Sequence, residues 1–96
     1  MFKSLGNTGF NITFANNICI SIVWNGDKFD ESETADIMIW DVITDHIFSF
    51  GLSDEAYFVL SDDVAKIMYE CQQAEHLADL QNRLKKLNYY FDNNQN

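Results

Sequence analysis

The stretch GFNITFANNICISIVWN, residues 9–25, decides the fold. Apolar residues alternate with polar or small ones along residues 10–14 and again along residues 18–24. A period of two is typical of β-strands, because successive side chains leave a pleated backbone on opposite faces. Asn16 and Asn17 separate the two halves, and asparagine tolerates the positive φ of a tight turn, so the pattern predicts a hairpin with a type I′ turn. One face of this hairpin is strongly apolar and has to be covered by a later part of the chain.

Further strands are predicted after the hairpin. Residues 34–42, TADIMIWDV, carry apolar side chains on both faces, which is typical of a central strand covered on two sides. Residues 46–50 and the short apolar run 57–60 are the candidates for a fourth and a fifth strand. With the hairpin they predict an antiparallel sheet over residues 9–60, which follows a loose lead-in at residues 1–8.

A helix over residues 61–88 is predicted to cover the apolar face of the sheet. The hydroxyl of Ser61 can accept a hydrogen bond from the first turn, and the two aspartates that follow suit the positive end of the helix dipole. Apolar residues recur at steps of three and four over residues 64–74, which indicates an amphipathic helix. The apolar stripe then changes phase near residues 72–75, so the helix is either continuous or broken at that point.

Four leucines at heptad spacing follow the change of phase. Two interpretations stay open, because two heptads are too few to establish a coiled coil. The leucines either pack back on the sheet or form a seam that joins two copies of the chain. Residues 89–96, rich in asparagine, are predicted to be a frayed tail. The four leucines of the predicted oligomer interface are Leu77, Leu80, Leu84 and Leu87.

The predicted fold class is α+β, with an antiparallel sheet of four or five strands and one long C-terminal helix packed across a face. The 96 residues allow a single domain, residues 1–96, with a small core. A five-stranded barrel or a bundle of hairpins is the alternative. No apolar run reaches the roughly 18 residues of a membrane span, and the N-terminus lacks the apolar region of a secretion signal. We therefore expect a cytoplasmic protein in which Cys19 and Cys71 are buried thiols, with a disulfide between them as the less favoured alternative.

Negative charge is the most unusual bulk property of the chain. Fifteen acidic residues face six basic ones, for a formal net charge of −9. The excess is concentrated in residues 27–63, where Lys28 is the one basic residue. Such a field repels phosphate backbones and accelerates encounter with cationic surfaces, so direct nucleic-acid binding is disfavoured. A simpler interpretation is that acidic loops only keep the protein in solution. The acids of this region are Asp27, Asp30, Glu31, Glu33, Asp36, Asp41, Asp45, Asp54, Glu55, Asp62 and Asp63.

Three segments carry a family resemblance: GFNITFANNICISIVW, then ADIMIWD, then LSDDVAKIM. Over residues 9–73 the chain resembles a group of small uncharacterised tailed-phage proteins, in which a G-F-x-x-T-F-A-N-G-x-T-V-S-V-like hairpin precedes an A-E-I-A-V-W-D-like strand and a helix that follows an acidic turn. Asn17 stands where that group has its turn glycine, and residues 25–33 replace its glycine-rich loop. We expect the protein to lie in the host cytoplasm, and the resemblance implies a phage or prophage origin. It implies no defined activity.

Signatures of catalysis are missing from the sequence, which has no glycine-rich phosphate loop, G-x-S-x-G, H-E-x-x-H or C-x-x-C motif. His46 and His76 each neighbour an acid and could act as a base, or could hold zinc with Cys71, but none has ligand-type spacing. The acids of residues 27–33 lack the register of a calcium loop. We therefore predict no cofactor, no metal and no catalytic residue, and an enzyme that uses either histidine is the least favoured hypothesis.

Residues 26–33, GDKFDESE, are the acidic loop, and aromatic and acidic residues in and around it form the predicted partner-binding surface. Aromatic side chains with a polar edge are favoured at binding surfaces as well as in cores, and Trp24 ends its strand beside the acidic loop. The predicted partner-binding residues are Trp24, Asp27, Phe29, Asp30, Glu31, Glu33 and Trp40.

Two functional hypotheses follow from these patterns. The first is a non-enzymatic inhibitor whose acidic surface binds a basic protein of a host defence or regulatory system. The second is an oligomeric sponge that sequesters a nucleotide immune signal in pockets between subunits, where such ligands commonly bind. Scarcity of cations is unfavourable to the sponge, because phosphate groups are held mainly by Arg, Lys and backbone N–H groups.

Overall fold

In the part of the chain that the structure describes, five antiparallel strands form one sheet, in which each strand lies beside its neighbour in sequence. The computed structural model describes the backbone of residues 2–4 and all of residues 9–25 and 34–89. Both helices follow the last strand, and α+β, the predicted class, is confirmed. The elements are β1 (Phe2–Ser4), β2 (Gly9–Thr13), β3 (Ile18–Trp24), β4 (Thr34–Asp41), β5 (Glu55–Leu60), α1 (Ser61–Gln73) and α2 (Leu77–Lys86).

The core lies between one face of this sheet and the helices. In the central strand β3, Ile18, Ile20 and Ile22 project to the same face and are fully buried. The strand register places Ile12 of β2 and Ile39 of β4 on either side of Ile20, so three strands contribute to one apolar layer. Burying an aliphatic side chain contributes about 1.5–3 kcal/mol, and α1 packs against β3, β4 and β5 to complete that burial.

The turn of the first hairpin differs from the predicted type I′. Asn17 has a positive φ of 69°, whereas Asn16 does not, and the N–H of Asn17 donates to the carbonyl of Phe14. The loop is therefore of the longer kind, in which a turn is followed by one left-handed residue. The side chain of Asn16 gives a physical reason for this longer loop. Its amide donates to the carbonyls of Cys71 and Ala74 at the end of α1, both at 2.7 Å.

The predicted helix over residues 61–88 is instead two helices. Ala74, with φ −67° and ψ 145°, ends α1 in extended backbone. His76 caps α2, because its Nδ1 accepts a hydrogen bond from the N–H of Asp79. The Asp79 carboxylate in turn accepts from the N–H of Glu75, so the start of α2 is a variant of the capping box. Of the two alternatives that the sequence left open, the structure has the broken helix.

The start of α1 matches the predicted residue but not the predicted cap. Ser61 is the first helical residue, while Leu60 holds the capping position and offers no side-chain hydrogen bond. Asp62 and Asp63 lie in the first turn, where the helix dipole favours acids. Charge rather than a capping hydroxyl therefore stabilises this end of the helix.

Residues 46–50 are predicted to form a strand, but among the described residues their strand pairing is limited to one bridge between Ile47 and Trp40. Phe48 and Phe50 turn into the core, where their rings meet edge to face with centroids 5.1 Å apart. Aromatic burial therefore holds this segment in place of strand pairing. The additional strand of the sheet is β1, which the sequence analysis treated as a loose lead-in.

The end of α2 brings the chain back against α1. Asn88 adopts a positive φ of 64°, and the N–H groups of Asn88 and Tyr89 donate to carbonyls in the last turn of α2 at 3.1 and 2.8 Å, which is a Schellman motif. Tyr89 then donates its hydroxyl to the carboxylate of Asp63. Of the predicted frayed tail, residues 89–96, only Tyr89 falls within the described part of the chain.

Candidate interaction surface

The base of the predicted acidic loop is closed by Asn25. Its N–H donates to the carbonyl of Thr34 at 3.0 Å, and its side-chain amide donates to the carboxylate of Asp36 at 2.9 Å. Thr34 also pairs with Leu60, so the loop leaves the sheet at the end where β5 finishes. The loop residues whose placement lies outside the described part of the chain, and stays a prediction, are Asp27, Phe29, Asp30, Glu31 and Glu33.

The two predicted tryptophans lie on opposite faces of the sheet. Trp24 shares the face of Ile20 and Ile22 and packs, half-buried, against the core. Trp40 lies on the other face, opposite Cys19 in the strand register, and is also half-buried. The structure therefore places Trp24 near the base of the acidic loop, and it does not bring Trp40 to the same surface.

The leucines of the predicted seam divide between the core and the surface. Leu80 and Leu84 are fully buried in the core of the chain itself, and Leu77 is half-buried against that core. Leu87 is 40% exposed. A seam that uses Leu80 and Leu84 would require both side chains to leave the core, and the predicted oligomer interface stays a prediction.

The β5 edge of the sheet exposes an apolar strip. Tyr57 is 54% exposed, Phe58 71% and Leu60 56%. The pairing of β5 with β4 is irregular at this point, and Phe58 has a positive φ of 55°. Left-handed backbone costs a residue with a side chain about 1–2 kcal/mol. The Asp36 carboxylate accepts a hydrogen bond from the N–H of Phe58 at 3.1 Å and so helps to hold the strained residue.

Acidic side chains stand at both ends of this strip. Asp54 and Glu55 lie at the start of β5, and Asp62 and Asp63 follow its last residue. Asp54 and Asp62 are exposed, whereas Asp63 accepts the hydrogen bond of the Tyr89 hydroxyl. An apolar strip between acids is complementary to a surface that carries apolar side chains and cations.

Two hollows accompany the apolar strip. One has a volume of about 270 Å³ and lies between β5 and Tyr89, with Asp63 and Ile67 of α1 in its wall. The other, about 300 Å³, lies beside Leu52. Both include Ala56 and Tyr57, and no described Lys or Arg lines either one. Hollows at the lower limit of small-molecule sites, which measure about 300–1,000 Å³, suit single side chains better than a nucleotide.

A third hollow, of about 300 Å³, lies beside the cations of α2. Arg83 lines it, but its guanidinium is paired with the carboxylates of Asp79 and Glu70, each at 3.1 Å. The hydrogen bonds that Arg83 donates to Asp79 and then to Glu70 raise the pKa of Arg83. The hydrogen bond from the Glu75 N–H, and next that from Arg83, lower the pKa of Asp79. The charge of Arg83 is thus engaged within the chain, which leaves Lys86 as the less constrained cation of this hollow.

The histidines and cysteines are the side chains that were candidates for catalysis. His76 caps α2, as described above, and His46 is exposed in the turn after β4. Cys19 and Cys71 are both free and buried. Burial raises the pKa of the Cys71 thiol, so the reactive thiolate is disfavoured there. The described residues contain no group of three or more His, Cys, Asp or Glu that could hold a metal ion.

The exposed β5 strip is the feature that sequence reasoning missed. Its signal was present in the run YFVL at residues 57–60, which is apolar at consecutive positions. A run of this kind in an edge strand leaves some apolar side chains exposed, because only one face meets the core. Recognising it required the strand order, which places β5 at the edge.

Family models, curated proteins and solved structures were compared with the chain, and none of them matches it. The resemblance to the tailed-phage group therefore stays a prediction. Within the described residues, neither helix has the length and apolar character needed to cross a membrane. The functional inference therefore rests on the surfaces of this chain.

Proposed function

We propose that this chain is a non-enzymatic, phage-encoded binding protein that blocks a host antiviral defence or regulatory component in the host cytoplasm. Its acidic surface contacts a basic protein. The observation that carries the proposal is the exposed apolar strip Tyr57, Phe58 and Leu60, which has acidic residues at both ends. Thr34, the first described residue after the acidic loop, pairs with Leu60 at one end of this strip.

Apolar and charged groups contribute differently to such an interface. Exposed aromatic residues supply most of the binding free energy once a partner excludes water from them. Surrounding carboxylates increase the rate of encounter with a cationic partner and reject acidic ones. A strip of this composition therefore selects a partner that is basic as well as apolar.

Recovery of a partner from host lysate at two salt concentrations tests this proposal. At about 50 mM salt we expect a basic protein to be retained, and at about 500 mM its recovery should fall, because added salt shortens the range of exposed charges. The double substitution Asp54→Asn/Asp62→Asn should weaken recovery at low salt. Failure to recover any basic protein at low salt would show that the proposal is wrong.

A matched variant separates local charge from total charge. Asp45 and Glu75 are exposed acids outside the surroundings of β5. The variant Asp45→Asn/Glu75→Gln has the same net charge as Asp54→Asn/Asp62→Asn, and we expect it to retain the partner as the unchanged protein does. Equal loss in both variants would mean that total charge, rather than this surface, governs recovery.

The second candidate is the oligomeric nucleotide sponge. The hollow beside α2 favours it, since the less constrained Lys86 and the exposed Leu87 both line it. A sponge requires an oligomer with interface pockets, and ligand binding should raise the melting temperature. We would measure the mass in solution and the thermal shift with a panel of cyclic nucleotides. A monomer without any thermal shift excludes this candidate.

A further inference from the structure

We propose that β5 is the docking edge for an extended segment of the partner, in which apolar side chains alternate with Lys or Arg. This inference rests on the proposed function in one respect, namely that the partner is basic. It adds that β5 is the element that binds the partner, and that the bound segment is both apolar and basic. Phe58 is the central contact residue, and the two hollows on either side of Tyr57 receive apolar side chains of the partner.

Strand position makes β5 available to an extended segment. It is the last strand of the sheet, and within the described residues no strand lies on its outer side. A sheet edge presents backbone N–H and C=O groups that an added segment can pair with, while side-chain pockets supply specificity. The irregularity at Phe58 interrupts this ladder, so the ends of β5 offer backbone groups and its middle offers an aromatic side chain.

Strain at Phe58 is a second, independent observation. A bulky residue in the left-handed region is uncommon, and such strain persists where the surroundings hold it, often at binding sites. Phe58 is also 71% exposed, so packing within the chain does not explain an aromatic residue at this position. Binding does explain it, because the backbone conformation presents the ring to a partner.

Charge decides which occupant fits the edge. A second copy of this chain would bring the same acids, Asp54, Glu55, Asp62 and Asp63, against their equivalents, and each chain carries a net charge of −9. The C-terminal residues 90–96, YFDNNQN, contain an aspartate and no cation. A nucleotide would find no described cation in either hollow. A basic, apolar segment from another protein is the occupant whose charge is complementary.

Defined peptides can test this inference without knowledge of the partner. The first probe is a fluorescent ten-residue peptide that alternates valine or phenylalanine with lysine. The second has glutamate in place of lysine, and the third carries prolines that prevent extended pairing. Fluorescence anisotropy with the full chain should show binding of the lysine probe, with the other two at least about tenfold weaker.

Two variants then locate the binding edge. Phe58→Gly should weaken the lysine probe at least about tenfold, whereas Ile43→Gly, which also removes an exposed apolar side chain, should leave its affinity unchanged. Circular dichroism would verify that both variants remain folded. Because Phe58 already has a φ that glycine adopts freely, this substitution preserves the backbone conformation.

Each other outcome overturns the inference in a distinct way. If Phe58→Gly and Ile43→Gly weakened binding of the lysine probe equally, the probe would bind somewhere other than β5. If the lysine probe did not bind at all, β5 would not be a docking site. A dimer that Phe58→Gly dissociates would make a second copy the occupant. If the variant Tyr90→Ser/Phe91→Ser bound the lysine probe about tenfold more tightly than the unchanged protein, the C-terminal residues would be the occupant of the β5 edge. Failure of the proposed function is distinguishable, because the peptides can bind even where lysate yields no partner.

Discussion

Asn16 joins the two halves of the molecule through a single side chain. Its amide donates to two carbonyls at the end of α1, and its Oδ1 accepts from the N–H of Ile18 at 3.0 Å. Asparagine is suited to this position because it supplies two donors and an acceptor on a short side chain. The neighbouring Asn17 contributes backbone conformation in place of side-chain contacts, through its positive φ.

Replacement of Asn16 by alanine should therefore be costly. We expect Asn16→Ala to lower the free energy of unfolding by about 2–3 kcal/mol, because three hydrogen bonds at about 0.5–1.5 kcal/mol each are lost. Asn17→Gly is the control and should be neutral or slightly stabilising, since glycine adopts positive φ without strain. Urea denaturation of both variants measures the difference. Similar losses in the two variants would contradict the role given to the Asn16 side chain.

Phe58 should show the opposite behaviour, because its side chain is mostly exposed while its backbone is strained. We expect Phe58→Gly to raise the free energy of unfolding by up to about 1 kcal/mol, as removal of Cβ strain outweighs the small loss of burial. Tyr57→Gly lacks this compensation and should destabilise the protein. Thermal and urea denaturation provide the measurement, and a clear loss of stability in Phe58→Gly would argue that its ring packs within the fold.

At the scale of elements, much of the structure could be predicted from the sequence. Alternating residues in β2 and β3 and the three-to-four spacing in α1 are local patterns, and each leads to one element. The break at Ala74 could be predicted only in part, since a change of phase in the apolar stripe is compatible with a continuous helix as well as with one that ends. The contact of Asn16 with the end of α1 joins residues more than fifty positions apart, and no local pattern carries it.

The candidate site was less predictable than the elements, for a physical reason. Trp24 and Trp40 are similar in sequence context, yet strand register places them on opposite faces. Leu80 and Leu84 have the spacing of a seam, but whether such a stripe meets a sheet or another chain depends on tertiary packing. The exposure of Phe58 depends on the strand order, which is a property of the whole sheet.

The contact between Tyr89 and Asp63 makes the packing of α2 on α1 dependent on pH. Burial, together with the hydrogen bond to the Asp63 carboxylate, raises the pKa of Tyr89 to about 12. An unfolded tyrosine ionises near pH 10, so the stabilising effect is complete below about pH 10 and is lost as the pH rises through 12. We expect unfolding midpoints in urea to decrease over this interval more steeply for the unchanged protein than for Tyr89→Phe. Parallel curves would show that the contact does not form in solution.

The whole molecule depends on one apolar layer between the sheet and the helices. Ile20 of β3 and Ile67 of α1 are both fully buried in it, so Ile20→Ala and Ile67→Ala should each cost about 2–5 kcal/mol in the free energy of unfolding. The exposed Ile43 provides the control, and Ile43→Ala should change stability by less than about 0.5 kcal/mol. Chemical denaturation measures all three. A small cost at both buried positions would mean that this layer is not the core.

The order of the strands has a consequence for how the chain is made. Among the described strands, each one after the first pairs with the strand before it in sequence, and pairings between consecutive strands favour rapid folding. The helices that cover the isoleucine face come last. Until they emerge from the ribosome, that face is bare, and nascent sheets of this kind are vulnerable to aggregation. Chaperones should therefore engage this protein in the interval before the helices can pack on the isoleucine face.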